Sequence, residues 1–219
     1  MLTIVPTPLG NLGDTTLRAI DALKSADFII AENPAHSAKL LAHFEIPKKQ
    51  FVQFADHNEE RILPKLIERL QSEYGALVTD AGTPSISDPG FRLVRACWEN
   101  NITVDSLPGA NAATTALVAS GLPTDKYIFI GFFAKTEPKV IKALEEARGI
   151  DATLVAYESP QRIQKTLQTI AKHFPGCTVF IGRELTKLHQ TYYRNTATEL
   201  VKEFAKTTKG EIVICISFK

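Results

Sequence analysis

The chain has 219 residues, 44% hydrophobic and 22% charged, a balance that supports a folded core and excludes a disordered polyelectrolyte. A formal net charge of +1 excludes a partner legible from overall charge alone. No apolar run reaches the roughly 20 residues of a membrane-spanning helix, and the opening MLTIVPTPLGNLGD lacks the basic start of a signal peptide and reads as a strand entering a loop.

Along the chain, short β-rich runs alternate with longer stretches of helical periodicity. Strands are predicted at 2–6, 28–32, 76–80, 104–108, 128–133, 153–158, 179–184 and 212–218. The intervening helices are predicted near 14–25, 36–43, 58–72, 90–100, 110–120, 137–147, 160–174 and 196–207. Asp14, Ser37, Asn58 and Ser159 are the expected N-caps, and Pro160 suits a first helical turn. The alternation predicts an α/β fold with largely parallel sheets. A (β/α)₈ barrel would be short at this length, since about 250 residues is typical. The Gly-, Pro- and Asp-containing segment SGLPTDKY (120–127) reads as a link, so two α/β domains in tandem are expected, at 1–119 and 120–219.

Charge divides unevenly between the halves. Residues 1–109 hold 10 Lys+Arg against 14 Asp+Glu, or −4, and residues 110–219 hold 15 against 10, or +5. The basic half suits phosphate contacts, and ordinary solvated surface explains it equally well. Cys97, Cys177 and Cys215 are isolated and set among apolar residues, so they are expected as buried free thiols in a reducing compartment. With no CxxC and five scattered histidines, no zinc site is expected.

Ligands of open α/β sheets bind beyond the carboxyl ends of the strands. The Gly/Pro-rich segments fall there: TPLGNLGD (7–14), DAGTPSISDPG (80–90), PGANA (108–112), YESPQR (157–162) and GRELTK (182–187). Small residues let the backbone approach a flat ligand and offer N–H and C=O groups to an adenine ring and ribose hydroxyls. Each segment alone fits a plain turn as well. Gly10 and Gly13 form GxxG rather than the dinucleotide fingerprint GxGxxG, and neither a P-loop nor a GxSxG elbow is present.

Taken together and in this order, these segments resemble the tetrapyrrole methylase superfamily, and within it the bacterial small-subunit (16S) rRNA 2′-O-ribose cytidine methyltransferases. The resemblance runs through TPLGNLGDTTLRAIDAL, DHNEE, VTDAGTPSISDPGFRLV, LPGANAATTALVASGLPTD, FIGFFAK, YESPQRI, GRELTKLHQ and KGEIVI, nearly the whole chain. It implies S-adenosylmethionine (SAM) in a cleft between the two domains, no metal, a cytoplasmic enzyme, a homodimer, and small-subunit rRNA or the assembled subunit as partner. Carried over residue by residue, it assigns cofactor contacts to Leu9, Gly10, Asp80, Thr83, Ile86, Ser87, Asn111 and Ala112, and to Tyr157, Arg183, Glu184 and Leu185 of the second domain. The chain departs from the family where members read EDTR-x-T after the second strand, having instead Glu32-Asn33-Pro34-Ala35-His36-Ser37. Typical members also continue beyond the position of KGEIVICISFK into a further small segment.

A 2′-hydroxyl is a weak nucleophile while protonated, so a base or hydrogen-bonding carboxylate should assist its methylation. Glu32 is the first candidate, at a strand end; the alternative is a carboxylate favouring the next helix's dipole. Lys187 is expected to steer a phosphate, or to act as base if a cationic neighbour lowers its pKa. His57 and Arg162 are candidate substrate contacts, as is His36, although Glu158 and Arg162 stand four apart and can pair structurally. One of Tyr192 and Tyr193 could stack on a base. Two other readings remain open at this point: a different acceptor (tetrapyrrole, small molecule or protein side chain), and a non-catalytic SAM- and RNA-binding protein.

Overall fold

The computed structural model describes residues 1–205 and 209–219. The chain divides into two compact units, Met1–Asn111 and Ala112–Lys219. In the first, β1 (Leu2–Ile4), β2 (Phe28–Ala31), β3 (Gln50–Gln53), β4 (Gly75–Val78) and β5 (Val104–Ser106) form one sheet in the order β3-β2-β4-β1-β5. All four pairings are parallel. Four helices connect the strands: α1 (Leu17–Ser25), α2 (Pro34–His43), α3 (Glu59–Leu70) and α4 (Phe91–Glu99).

The strands are apolar at successive positions because both faces of the sheet are covered. Phe28 and Ile30 join Leu66, Leu70, Leu93 and Cys97 of α3 and α4 in one core cluster. Ile29 and Ala31 point the other way and pack with Ala19, Leu23 and Leu41 of α1 and α2.

The second unit starts with α5 (Ala112–Ser120), followed by β6 (Tyr127–Phe132), α6 (Glu137–Gly149), β7 (Thr153–Glu158), α7 (Ile163–His173), β8 (Thr178–Arg183), β9 (Thr191–Thr196), α8 (Ala197–Glu203) and β10 (Ile212–Ser217). Its sheet has the order β6-β7-β10-β8-β9. β6 and β7 are parallel, whereas the closing strand β10 inserts between β7 and β8 and runs antiparallel to both. One face carries the cluster of Leu144, Leu154, Leu167, Ile181, Leu200 and Ile214, and α5 packs against β7, β8 and β10. The boundary at Asn111/Ala112 lies eight residues before the expected 119/120, because α5 buries Ala113, Ala116 and Leu117 in the second unit.

The eight expected strands and eight expected helices are present, with the last two residues of the helix expected at 196–207 lying outside the described residues. Two strands escaped the sequence reading. β3 and β9 are both edge strands, with much of their surface exposed and no apolar alternation strong enough to mark them. Two caps lie elsewhere. Thr16, not Asp14, accepts the Ala19 N–H, and Asn33, not Ser37, accepts the His36 N–H with Pro34 in the first turn. Asn58 does sit before α3, but its side chain bonds Ala55 and Gln53 instead of the helix. Ser159 and Pro160 precede α7, whose N-cap position is Arg162.

Cys97, Cys177 and Cys215 are buried and free. Burial pushes their thiols up to about 11, 11 and 12 respectively, so the reactive thiolate is scarce at neutral pH. A thiol-disulfide reagent at pH 8 should therefore label less than about one thiol per native chain in the first minutes, and all three after denaturation. Rapid labelling of the native protein would contradict this burial. Among the described residues no helix is long and apolar enough to cross a membrane, and no group of His, Cys, Asp and Glu could hold a metal ion.

Candidate active site

Parallel pairing sends all five strands of the first sheet to the same edge with their carboxyl ends. From β1 the chain crosses β4 to reach β2 through α1 on one face, and from β4 it crosses β1 to reach β5 through α4 on the other, so the two connections leave adjacent strands in opposite directions. That is the position where open α/β sheets bind ligands. The loops after these two strands are tied together there. Thr7 and Gly82 exchange backbone hydrogen bonds of 2.9 and 3.0 Å, and the Thr7 hydroxyl donates to the Thr79 carbonyl at 3.0 Å. The turn after β5 joins them, since the Thr83 hydroxyl donates to the Ala110 carbonyl at 2.9 Å.

The segment DAGTPSISDPG needs unusual backbone. Gly82 and Gly90 have φ of +90° and +141°, and Ser85 and Ser87, which carry Cβ atoms, stand at 70° and 64°. Glu184 and Thr186 of RELTK stand at 52° and 65°, so these two segments hold four of the seven non-glycine residues with positive φ among the described residues. Such conformations persist where surrounding contacts over-determine them and cluster at functional sites. Buried polar atoms without partners occur at Asp80 Oδ1, Ser85 Oγ and Thr186 Oγ1, in the same two segments. Asp80 is itself half-buried, and Gly10, Ile86 and Ser87 are exposed.

Close approach is also demanded at Gly109. A Cβ there would lie 2.6 Å from Pro6 Cβ and 2.9 Å from its Cγ. Gly109→Ala must displace this turn from the β1 loop, at about 1–3 kcal/mol by overpacking. It should weaken binding of any ligand held by the two loops by about tenfold, the equivalent of 1.4 kcal/mol. Gly149→Ala, which meets nothing within 4 Å, is the control. Equal affinities for the two variants by calorimetry would refute the close-approach argument.

Glu32 follows β2 directly, and the register that pairs Ala31 with Val78 places it beside Thr79. The Thr79 hydroxyl donates to Glu32 Oε2 at 3.1 Å. Burial raises the carboxyl of nearby Asp88 to about 6; the Thr79 hydroxyl opposes the rise, and Glu32, Asp80 and Asp56 add to it. Thr79, Asp88 and Asp56 were not picked out from the sequence. A second acid eight residues after Asp80 in the same loop was the available signal for Asp88, but the strand pairing that sets Thr79 beside Glu32 is not visible in one dimension. His36 and His57 are exposed.

In the second unit the candidate side chains are largely committed to their own loops. Arg183 donates to the Thr191 hydroxyl and to the carbonyls of Lys209 and His189, at 3.0–3.3 Å. Lys187 contacts Glu184 at 3.1 Å and Glu211 at 3.0 Å. Burial would lower its pKa, but these carboxylates outweigh burial and raise it, so the cationic neighbour a lysine base requires is replaced by anions. Glu184 accepts the Glu211 N–H, which together with Lys187 holds its carboxyl below the usual range against burial. Leu185 is buried against Gly182, where an added Cβ would lie 2.8 Å away.

Arg162 pairs with the fully buried Glu158 carboxylate at 2.6 Å and donates to the Phe133 carbonyl at 3.1 Å. This is the structural alternative to a substrate contact. Tyr157 packs edge-on against Phe129 and Phe132. Tyr192 lies against Phe180 and Tyr193 against Phe204, consistent with opposite faces of one strand.

Comparison with known proteins places this geometry. Residues 1–201 match the family model of tetrapyrrole (corrin/porphyrin) methylases. The chain is 44% identical over 220 residues to ribosomal RNA small subunit methyltransferase I of Hydrogenobaculum sp. (strain Y04AAS1), covering 99% of this chain and 95% of that one. It is 45% identical over 222 residues to the protein of the same name from Vibrio cholerae, covering 99% and 76%, and 39% identical to that of Thermotoga maritima, covering 100% and 98%. Among solved structures, diphthine synthase superposes with a TM-score of 0.74 at 15% identity, over 99% of this chain and 89% of that one. The methyltransferase CobJ superposes at 0.73 and 19%, over 99% and 93%; at these identities the two share the fold. The chain belongs to the tetrapyrrole (corrin/porphyrin) methylase family, in the group of ribosomal RNA small subunit methyltransferase I.

Proposed function

We propose that the chain transfers a methyl group from SAM to the 2′-hydroxyl of a cytidine ribose in small-subunit ribosomal RNA, as a cytoplasmic homodimer. The observation that carries this reading is identity of 39–45% across nearly the whole chain to enzymes named for methylating that RNA. The dimer, the cytoplasmic setting and the 2′-oxygen of cytidine rest on the family resemblance. The greater basic charge of the second half, +5 against −4, favours an RNA acceptor over a tetrapyrrole or a protein side chain.

The first unit's loops fit the methyl donor. Asp80 Oδ1 is a buried acceptor awaiting a donor, which an amine or a ribose hydroxyl supplies. Leu9 lies over Gly82, and Thr83 fixes the turn that ends in Asn111 and Ala112. Leu9, Gly10, Asp80, Thr83, Ile86, Ser87, Asn111 and Ala112 would hold SAM, with Tyr157, Glu184 and Leu185 proposed on the resemblance. The guanidinium of Arg183 braces its loop, so its contribution is to shape. When bound, SAM supplies a methyl group already activated on a sulfonium.

The remaining work belongs to the protein. It must orient the acceptor oxygen, since alignment at near-attack distance supplies several kcal/mol, and take its proton. Glu32 is the proposed acceptor of that proton, with its carboxylate fixed by Thr79. Lys187, held cationic by Glu184 and Glu211, is suited to phosphate steering and not to base catalysis. His57 remains a proposed RNA contact.

The test is transfer from labelled SAM to small subunits lacking the modification, with the product nucleotide mapped by mass spectrometry. Label on a cytidine 2′-oxygen is the expected result. SAM binding without transfer to any RNA or small acceptor would establish the non-catalytic reading instead, and no affinity for SAM or its demethylated product would end both.

A further inference from the structure

β6 and β7 run parallel, so the loops that follow them emerge at the same edge of the second sheet, one carrying Ala134 and Lys135 and the other Arg162. There, at the start of α6 and α7, lies a recess of about 290 Å³, open to solvent and lined by Lys135, Glu137, Arg162, Lys165, Thr166 and Thr169. The charges on this lining do not cancel. Glu137 is engaged by Lys172 at 3.4 Å and by His173 at 3.3 Å. Arg162 is balanced by Glu158, and its bonds to Glu158, the Phe133 carbonyl and the Ser159 hydroxyl use fewer N–H groups than a guanidinium carries. Lys135 and Lys165 have no anionic partner among the described residues, whereas Lys142, Lys172, Lys187, Lys202 and Lys219 of the same unit each meet a carboxylate at 2.7–3.8 Å. The Thr166 and Thr169 hydroxyls are engaged within the unit, donating to Glu158 and to the Lys165 carbonyl. Two uncompensated cations on one recess repel each other, and an anion seated there relieves that repulsion.

We propose that this recess holds a phosphodiester of the RNA backbone, with Lys135 and Lys165 as its contacts and the unengaged N–H edge of Arg162 behind it. The proposal rests on the ribosomal RNA reading and locates an anchor for that substrate in the second unit. A lysine carries a compact ammonium on a flexible stem, which closes on an anion from either wall, and RNA offers such an anion at every nucleotide. The excess of +5 over residues 110–219 thereby acquires a place. With the threonine hydroxyls engaged, the contact is with charge alone. It fixes where the RNA lies and does not select its sequence. Inorganic phosphate shares the same anionic oxygens, and the experiment separates the two sources.

The wild type, K135Q, K165Q and the double variant are compared for binding to small ribosomal subunits lacking the modification, by fluorescence anisotropy over about 50–200 mM salt. K142Q, whose lysine is off the recess, is the control. Each single change should weaken subunit binding by about fivefold and lower the slope of log affinity against log salt by about 0.7–0.9. The double variant should lose about 20-fold and twice that slope. Affinity for SAM and the urea midpoint should stay at the wild-type values, K142Q should match the wild type throughout, and the loss in methyl transfer should fall on KM for subunits and not on kcat. A merely structural lysine moves the urea midpoint and leaves the salt slope alone. Unaltered affinity and slope in the double variant overturn the anchor, and so does an equal loss in K142Q, which marks an effect of net charge. Inorganic phosphate is tested separately by its effect on Tm at constant ionic strength. Stabilisation of the wild type that is lost in the double variant, with subunit binding unchanged, assigns the recess to free phosphate and overturns the RNA contact. If the wild type binds subunits with this salt signature but methylates no RNA, the methylation reading falls and the anchor stands. No affinity for the subunits or their RNA ends both.

Discussion

Glu32→Gln should slow methyl transfer by about 100-fold or more, the usual contribution of a positioned proton acceptor. The substitution is nearly isosteric, and the Gln carbonyl oxygen still accepts the Thr79 hydroxyl, so the bond now 3.1 Å long survives. What disappears is the capacity to take a proton. The loss should fall on kcat, with KM for SAM within about threefold, since a group that acts in the transition state alone changes kcat and kcat/KM together. An undiminished rate would remove Glu32 from the proposed mechanism, and a loss confined to KM would make it a binding residue.

Arg162→Met should destabilise the second unit by about 3 kcal/mol, read by urea denaturation at pH 7. The Glu158 carboxylate has no exposed surface and accepts three bonds of 2.6 Å, from the Ser159 N–H, the Thr166 hydroxyl and the Arg162 guanidinium. Removing the arginine leaves a buried anion with only neutral donors, and it also frees the Phe133 carbonyl. Arg162 is 28% exposed, so water partly replaces it and the expected cost lies at the low end for a buried pair. Replacing both residues, as Glu158→Leu with Arg162→Met, removes the stranded charge and should cost less than the single change. A single variant within 0.5 kcal/mol of wild type, the range usual for surface substitutions, would show that YESPQR does not owe its rigidity to this pair. Retained affinity for SAM in the folded variant would agree with a bracing role.

The carboxyl edge shared by the paired strands β1 and β4 explains why the first unit's motifs share one place. Thr7, Thr79, Gly82, Thr83 and Ala110 are separated by up to about a hundred residues, yet parallel pairing sets them within hydrogen-bonding reach of one another. The departure from the family at residues 32–37 also acquires a local account. Asn33 caps α2 and Pro34 occupies its first turn, so the segment starts a helix well while keeping the Glu32 carboxylate at the strand end.

Strand and helix positions were legible because each buried element leaves an apolar run of its own length. Phe28, Ile29, Ile30 and Ala31 are all fully buried, a signature that needs both faces of a sheet covered. β3 and β9 left no such run, because an edge strand draws its backbone partners from one side and its side chains stay half in water. The unusual backbone of the loop proposed to hold the ligand was legible too, since only Gly and a few tolerated residues accept the φ values found at 82 and 90.

What the sequence could not convey is which side chains are already spoken for. Lys187, Arg183 and Arg162 look like free cations in a linear reading, and the fold pairs each with oxygen atoms of its own unit. Likewise α5 belongs with the second sheet because its apolar face meets β7, β8 and β10 there, a choice made by packing and not by its own uniformly small residues. Thr79 reads as one more strand-end threonine until the register of β2 against β4 brings Glu32 beside it and the loop returns Asp88. Local pattern fixes elements, because each depends on neighbours a few residues away; charge pairing and proton chemistry depend on distances that only the folded chain sets.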